Sequence, residues 1–201
     1  MLNWILQLDK EVFLYLNQLN STSFDSLMLF ISYNFTPGIL IILYFICAGT
    51  KKFKKYFILP FLLLLVTFGL SDSISTKLFK DNFKRLRPMH NPEIMQIVHT
   101  AKQGRGGGKF GFVSSHASNT FALSAFILLV LSGGLLRKVK LSSLLFTYSS
   151  LVSYSRIYLG KHYPLDIVCG AILGISIALV VFIFWNRLVL KKLEPSLNQL
   201  R

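Results

Sequence analysis

Between residues 26 and 187 lie five apolar runs, at about 26 to 49, 56 to 79, 114 to 132, 141 to 159 and 164 to 187, each as long as a membrane span. At about 1.5 Å per residue, a helix of this length crosses most or all of a ~30 Å hydrocarbon core. Lipid offers no partner to a backbone amide, so spanning segments must satisfy their hydrogen bonds internally. The expected architecture is an all-α membrane protein, a helical bundle of about five transmembrane helices. Composition agrees, because 53% hydrophobic and 15% charged residues in a chain of 201 give more apolar surface than a water-facing globule of this size can hide.

The formal charge of +14 would suggest a nucleic-acid partner in a soluble protein. Set among spans it points instead to anionic lipid headgroups or phosphorylated substrates, and no nucleic-acid partner is expected. In the first 22 residues Ile5, Leu8, Val12, Leu16 and Leu19 recur at helical spacing, opposite Asn3, Gln7, Asn17 and Gln18. That pattern predicts an N-terminal amphipathic helix lying in the membrane interface. Asp9, Lys10 and Glu11 interrupt any apolar core of a cleavable signal. The whole reads as a single integral-membrane domain, with residues 1–22 interfacial, 26–187 the transmembrane bundle and 188–201 a cytoplasmic tail. Cys47 and Cys169 lie in apolar runs without metal-ligand spacing and read as packing residues.

The basic connections "KKFKK" and "RKVK", with Arg187, Lys191 and Lys192, mark the expected cytoplasmic side. The opposite side holds a long connection, roughly 80 to 113, and a short one, roughly 159 to 163. In a bacterial-type inner (plasma) membrane that side faces the periplasm or the outside. Three polar clusters fall there: "KDNFKRLRP" with Lys80, Arg87 and Pro88; "FVSSH" with Ser114 and His116; and "SRIYLGKHYPLD" with Arg156, His162 and Asp166.

A phosphoryl group in transfer spreads negative charge over three equatorial oxygens, which need several fixed donors in a dry cradle. Lys80, Arg87 and Arg156 supply positive charge, and each arginine can hold two oxygens. Ser114 offers a hydroxyl, and backbone N–H groups at the start of the third span, Ser115 among them, offer helix-terminus donors. A neutral His162 can attack phosphorus, with Asp166 holding its other ring nitrogen. Pro164 suits the first turn of the last span and thereby brings Asp166 near His162. His116 remains to protonate the leaving oxygen and to activate water.

Lys-x6-Arg-Pro, Ser-x-His and Ser-Arg-x5-His-x3-Asp, in this order on helix ends, resemble the motifs of the type 2 phosphatidic acid phosphatases, relatives of the vanadium haloperoxidases. The resemblance covers roughly residues 55 to 187. It implies a membrane-embedded, metal-independent phosphatase working through a phosphohistidine. It carries the family's residues onto Lys80, Arg87 and Pro88, Ser114 and His116, and Arg156, His162 and Asp166. The chain departs from the usual Pro-Ser-Gly-His by having Val113 and Ser115. Ser115 still offers its N–H but tolerates fewer conformations than glycine.

A lipid phosphate substrate follows, with undecaprenyl diphosphate the first choice, because small members resembling this chain often serve carrier-lipid recycling. The alternatives are phosphatidylglycerol phosphate, the phosphates of lipid A, and phosphoryl transfer to another lipid. A haem-binding or transport protein is the non-enzymatic alternative, but haem ligation wants no three cations beside the histidines. No cofactor is expected, since the eight acidic residues show no hard-cation ligand spacing. His90 and His99 read as solvent or headgroup contacts. Asp72, Thr76 and Lys80 share a helix face leading toward the site, with Asp72 either a polar contact orienting its helix or a support for Lys80. The glycine-rich stretch 104–111 lacks P-loop order and reads as a lid or linker.

Overall fold

The computed structural model describes residues 2–33, 36–101 and 108–190. Residues 104–107 of the glycine-rich stretch and 191–201 of the expected tail lie outside the described residues. The described chain is helical, and its one β feature is an isolated antiparallel bridge between Leu86 and Phe110. The helices are α1 (Leu2–Gln18), α2 (Thr22–Tyr33), α3 (Thr36–Phe53), α4 (Ile58–Ser73), α5 (Asp81–Phe83), α6 (Ser115–Ser132), α7 (Val139–Tyr158) and α8 (Pro164–Phe184).

The all-α membrane architecture holds, and the spans differ from expectation in detail. Three described helical stretches are long and apolar enough to cross a membrane: Gly38–Phe83, Ser115–Ser132 and Pro164–Arg187. The first would measure roughly 70 Å if straight, but it reverses at Lys54, which takes the left-handed φ of 52°. Phe57 then packs back on Phe45, ring centroids 5.4 Å apart. Its arms, α3 and α4, therefore run antiparallel. The expected first span, 26 to 49, is divided between α2 and α3.

α7 is less apolar than these stretches, because serines, tyrosines and Arg156 dilute it. It crosses nonetheless, since α6 and α8 both begin at the same end of the bundle, where the N–H of Ser114 donates to the Asp166 carbonyl at 3.0 Å. A chain leaving that end along α6 has to return along α7 before α8 can start. One of its serines, Ser149, meets Ser124 of α6 at 2.9 Å, as Ser71 of α4 meets Ser118 at 2.7 Å. Such interhelical bonds contribute about 0.6–2 kcal/mol each in lipid, where apolar burial alone does little to hold helices together.

α6 is the buried centre, and α8 lies closest to it. Gly170 and Gly174 make this approach possible, because a Cβ there would stand 2.6 Å from the Ser114 carbonyl oxygen and 2.1 Å from that of Ser118. At the end away from the polar clusters, Phe45, Phe53, Leu64, Phe126, Ile177 and Trp185 fill the core. Large apolar side chains such as Leu62, Leu65, Phe68, Ile172 and Val180 point outward, as a lipid solvent requires.

α1 presents Ile5, Leu8 and Val12 outward, in keeping with an interfacial helix. Its inner face, however, is Asp9, Phe13 and Asn17, spaced by four and buried. Asn17, expected on the outer polar face, instead donates to the carbonyls of Ile157 (3.0 Å), Tyr158 (2.9 Å) and His99 (3.1 Å). The first two belong to the last turn of α7, where the Ile157 carbonyl also accepts the Gly160 N–H at 3.0 Å. Phe13 meets the edge of Tyr163 with centroids 5.2 Å apart. α1 thus clamps the short connection that carries His162.

Candidate active site

The three polar clusters converge at one end of the bundle. α7 stops where Gly160 takes a left-handed φ of 67°, and the N–H groups of Lys161 (2.9 Å) and His162 (3.3 Å) both donate to the Arg156 carbonyl. A side chain at 160 would reach within 2.6 Å of Val98 Cγ1. The turn folds His162 back beside Arg156, and α8 then begins at Pro164, as expected. Asp166 sits in the first turn of α8, where its Oδ2 accepts the Tyr163 N–H at 3.0 Å and lies 3.5 Å from His162 Nδ1. That separation is an ion-pair distance, longer than a formed hydrogen bond. Both side chains are buried. Burial, followed by the charges of Arg156, Arg87 and Lys80, holds His162 well below the ordinary imidazole range, so it is neutral at pH 7.

α4 ends in a π-helical stretch, Ile74–Lys80. The wider turn brings residues five apart onto one face, and Ser75 and Lys80 both reach the Ser115 hydroxyl, at 3.0 and 2.6 Å. Thr76 stands 3.4 Å from the same atom. Asp72 serves as a structural contact, accepting from Asn119 of α6 at 3.0 Å. The Ser114 hydroxyl caps α6, accepting the Ala117 N–H at 3.4 Å, which engages a lone pair and leaves its O–H proton for another acceptor. Ser115, expected to act through its N–H alone, is therefore the serine whose side chain meets Lys80. As the first residue of α6 it also keeps an N–H without an intrahelical acceptor.

Arg87 is extended and pairs with the far end of the glycine-rich stretch. Its N–H donates to the Lys109 carbonyl at 3.1 Å, its Nε to that of Phe110 at 3.0 Å, and the Gly111 N–H to Arg85 at 2.8 Å. Residues 109–111 are thus a fixed wall, in place of the lid or linker expected there. A Cβ on Gly111 would lie 3.2 Å from both Arg87 Cγ and Asp166 Oδ2. Arg156, only 4% exposed, donates through Nη1 to Ser32, stands 5.5 Å from the Tyr33 ring, and keeps a buried Nε with no acceptor among the described residues. His116, at the start of α6, lies within electrostatic reach of Arg156, His162, Lys80 and Arg87. All eight residues singled out in the sequence therefore meet at this end of the bundle.

Two further residues border the site without having been given a role in it, Lys161 and Arg85, and a third, His99, lies elsewhere than expected. Lys161 is fully buried, and burial, with Arg156 and Arg87 adding, pulls it down to about 8. Arg85 donates to Asp166 Oδ1 at 2.7 Å and to Asp9 Oδ2 at 2.6 Å, and lies 4.2 Å from the Tyr163 ring centre. Burial opposes its charge, yet Asp166 and Asp9 together hold it above the ordinary range. His99, expected to face solvent or headgroups, instead bonds Asp25 at 2.8 Å and meets Tyr158 edge-on.

This arrangement can accept a tetrahedral anion: three fixed cations, helix-terminus amides and hydroxyls surround a neutral imidazole backed by a carboxylate. Comparison with known proteins agrees. The chain is 30% identical over 181 residues to a lipid A 4′-phosphatase of Porphyromonas gingivalis, covering 90% of this chain and 74% of that one. It is 33% identical over 179 residues to a lipid A 4′-phosphatase of Bacteroides thetaiotaomicron, covering 87% and 75%. A solved PAP2-type phosphatidylglycerolphosphate phosphatase from Bacillus subtilis shares the fold, with TM-score 0.69 at 23% identity over 92% of this chain and 88% of that one. Aquifex aeolicus LpxE superposes with TM-score 0.60 at 25% identity, over 87% and 94%. A sequence profile of the PAP2 superfamily matches residues 57–190, and the chain belongs to that superfamily as an integral-membrane lipid phosphatase.

Proposed function

We propose that this chain hydrolyses a phosphate monoester on the saccharide headgroup of a lipid A-type molecule, through a phosphohistidine at His162. The observation that carries the chemistry is the neutral, buried His162 set among Lys80, Arg87 and Arg156, with an Arg156 N–H left for a phosphate oxygen. The names borne by the relatives favour lipid A over the carrier-lipid diphosphate expected first.

In the proposed reaction His162 Nε2 attacks phosphorus in line with the ester oxygen. The N–P bond forms as the P–O bond breaks, and the three equatorial oxygens rest on Lys80, Arg87, Arg156 and the first-turn amides of α6. Asp166 faces the imidazolium this creates. Substrate anion in the cradle favours the protonated form of His116, which gives its proton to the leaving alkoxide. Water, deprotonated by His116, then cleaves the N–P bond and releases phosphate. The site faces the periplasm or outside, since the short basic connections lie at the other end of the bundle.

The test is phosphate release in detergent from lipid A, undecaprenyl diphosphate and phosphatidylglycerol phosphate, with His162→Ala as blank. Preferential release from lipid A, at the distal sugar by mass spectrometry, is expected. Preference for the diphosphate would overturn the substrate assignment, and activity retained in His162→Ala would overturn the mechanism.

A further inference from the structure

Behind Asp166 the ionic contacts continue away from the phosphate cradle. Asp166 binds Arg85 at 2.7 Å, Arg85 binds Asp9 of α1 at 2.6 Å, and Asp9 Oδ1 also accepts the Leu165 N–H of the first turn of α8 at 2.8 Å. Asp9 is 7% exposed and Asp166 is fully buried, so solvent screens this string poorly.

The signs matter. When His162 takes up phosphorus it becomes a cation, already beside Arg156, Arg87 and Lys80 and next in sequence to Lys161, with His116 facing it from α6. Asp166 is the carboxylate that meets it directly. Arg85 alone would neutralise Asp166 and leave the imidazolium facing a net charge of zero. Asp9 restores the balance, because Asp166, Arg85 and Asp9 together carry −1.

We propose that Asp9 and Arg85 are positioning residues of the active site: Arg85 fixes Asp166, and Asp9, supplied by the interfacial helix, keeps the string behind His162 net negative. An N-terminal helix outside the residues matched by the superfamily profile thereby tunes the nucleophile. The inference rests on the proposed role of His162 only in its kinetic consequence. Its electrostatic content can be read without turnover.

The experiment follows the His162 imidazole by nitrogen NMR of histidine-labelled full-length enzyme in detergent, alongside burst phosphorylation by an activated phosphate ester. Asp9→Asn brings the string to zero and makes the imidazolium less favoured. The His162 titration should then fall by roughly one pH unit, and burst phosphorylation should slow about tenfold. The double variant Asp9→Asn with Arg85→Gln removes one charge of each sign and returns the string to −1. Its titration should move back toward that of the parent, although it has lost more contacts. If Asp9 merely caps α8, the double variant will titrate no closer to the parent than the single one, and that result overturns the proposal. An unchanged titration in Asp9→Asn overturns it as well. A shifted titration without any burst in the parent enzyme would leave the electrostatics standing and refute the phosphohistidine reading instead.

Discussion

Gly170 touches no substrate, yet replacing it should damage catalysis more than folding. A Cβ at 170 would stand 2.6 Å from the Ser114 carbonyl oxygen, while ordinary contact begins at 3.4 Å. The obstacle is backbone, so α6 and α8 must part by about 0.8 Å at this level. Ser114 belongs to the turn that presents the α6 amides, and its N–H is tied to Asp166. The movement therefore pulls the phosphate cradle away from the His162–Asp166 pair. A misplacement of about 1 Å costs roughly 10²-fold in rate, whereas overpacking of this size costs about 1–3 kcal/mol of stability. Gly170→Ala should accordingly lose about two orders of magnitude in kcat/KM and still purify as a folded protein. Gly174→Ala, 2.1 Å from the Ser118 carbonyl oxygen and one turn further from the site, should lose more stability relative to activity. Gly69→Ala is the control, because nothing lies within 4 Å of its Cβ. It should be neutral or stabilising by up to about 1 kcal/mol. The assay is steady-state phosphate release with a thermal unfolding midpoint in the same detergent. Full activity in Gly170→Ala, or equal effects at 69 and 170, would refute the argument.

Ser115→Ala removes the acceptor that holds Lys80 at 2.6 Å and should lower kcat/KM by roughly tenfold, the scale of one charge-assisted hydrogen bond; an unchanged rate would show that Lys80 needs no such anchor. Lys161 binds fewer protons folded than unfolded between about 8 and 10.5, so stability should rise with pH across that window. Lys161→Met should flatten the rise, which unfolding midpoints at pH 8 and 10 would check. Vanadate, able to take five-coordinate geometry on His162, should inhibit, whereas chelators should leave phosphate release unchanged. Metal-restored activity after chelation would contradict the assigned chemistry.

The site was legible because its residues are costly where they sit. Cations and histidines at the ends of apolar runs stand out against a background that disfavours them, and their order fixed which helix ends must meet. The rest is carried by ordinary residues acting over long sequence separations. Asp9 looked like one member of a charged triplet, and its bond to Arg85 spans 76 positions. Arg85 is one of four cations in "KDNFKRLRP", and nothing in the spacing sets it apart from Lys84 beside it. The Gly170-x3-Gly174 spacing was a readable signal for close helix packing. The division of the first span between α2 and α3 had a readable signal in Pro37 and Gly38, which interrupt the apolar run. Ser115 showed its backbone role in the motif, whereas its side-chain role depended on the π-helical turn that delivers Lys80.

The central claim is a covalent bond between phosphorus and His162, and trapping that bond tests it most directly. The enzyme would be mixed with a phosphorus-labelled activated ester, quenched in alkali within milliseconds, digested and mapped by mass spectrometry. The account predicts an acid-labile, alkali-stable label on the peptide carrying His162, persisting longer in His116→Ala because hydrolysis of the intermediate lacks its base. No label should form in His162→Ala. An acid-stable label on Ser115, or phosphate release by His162→Ala at the parent rate, would contradict it.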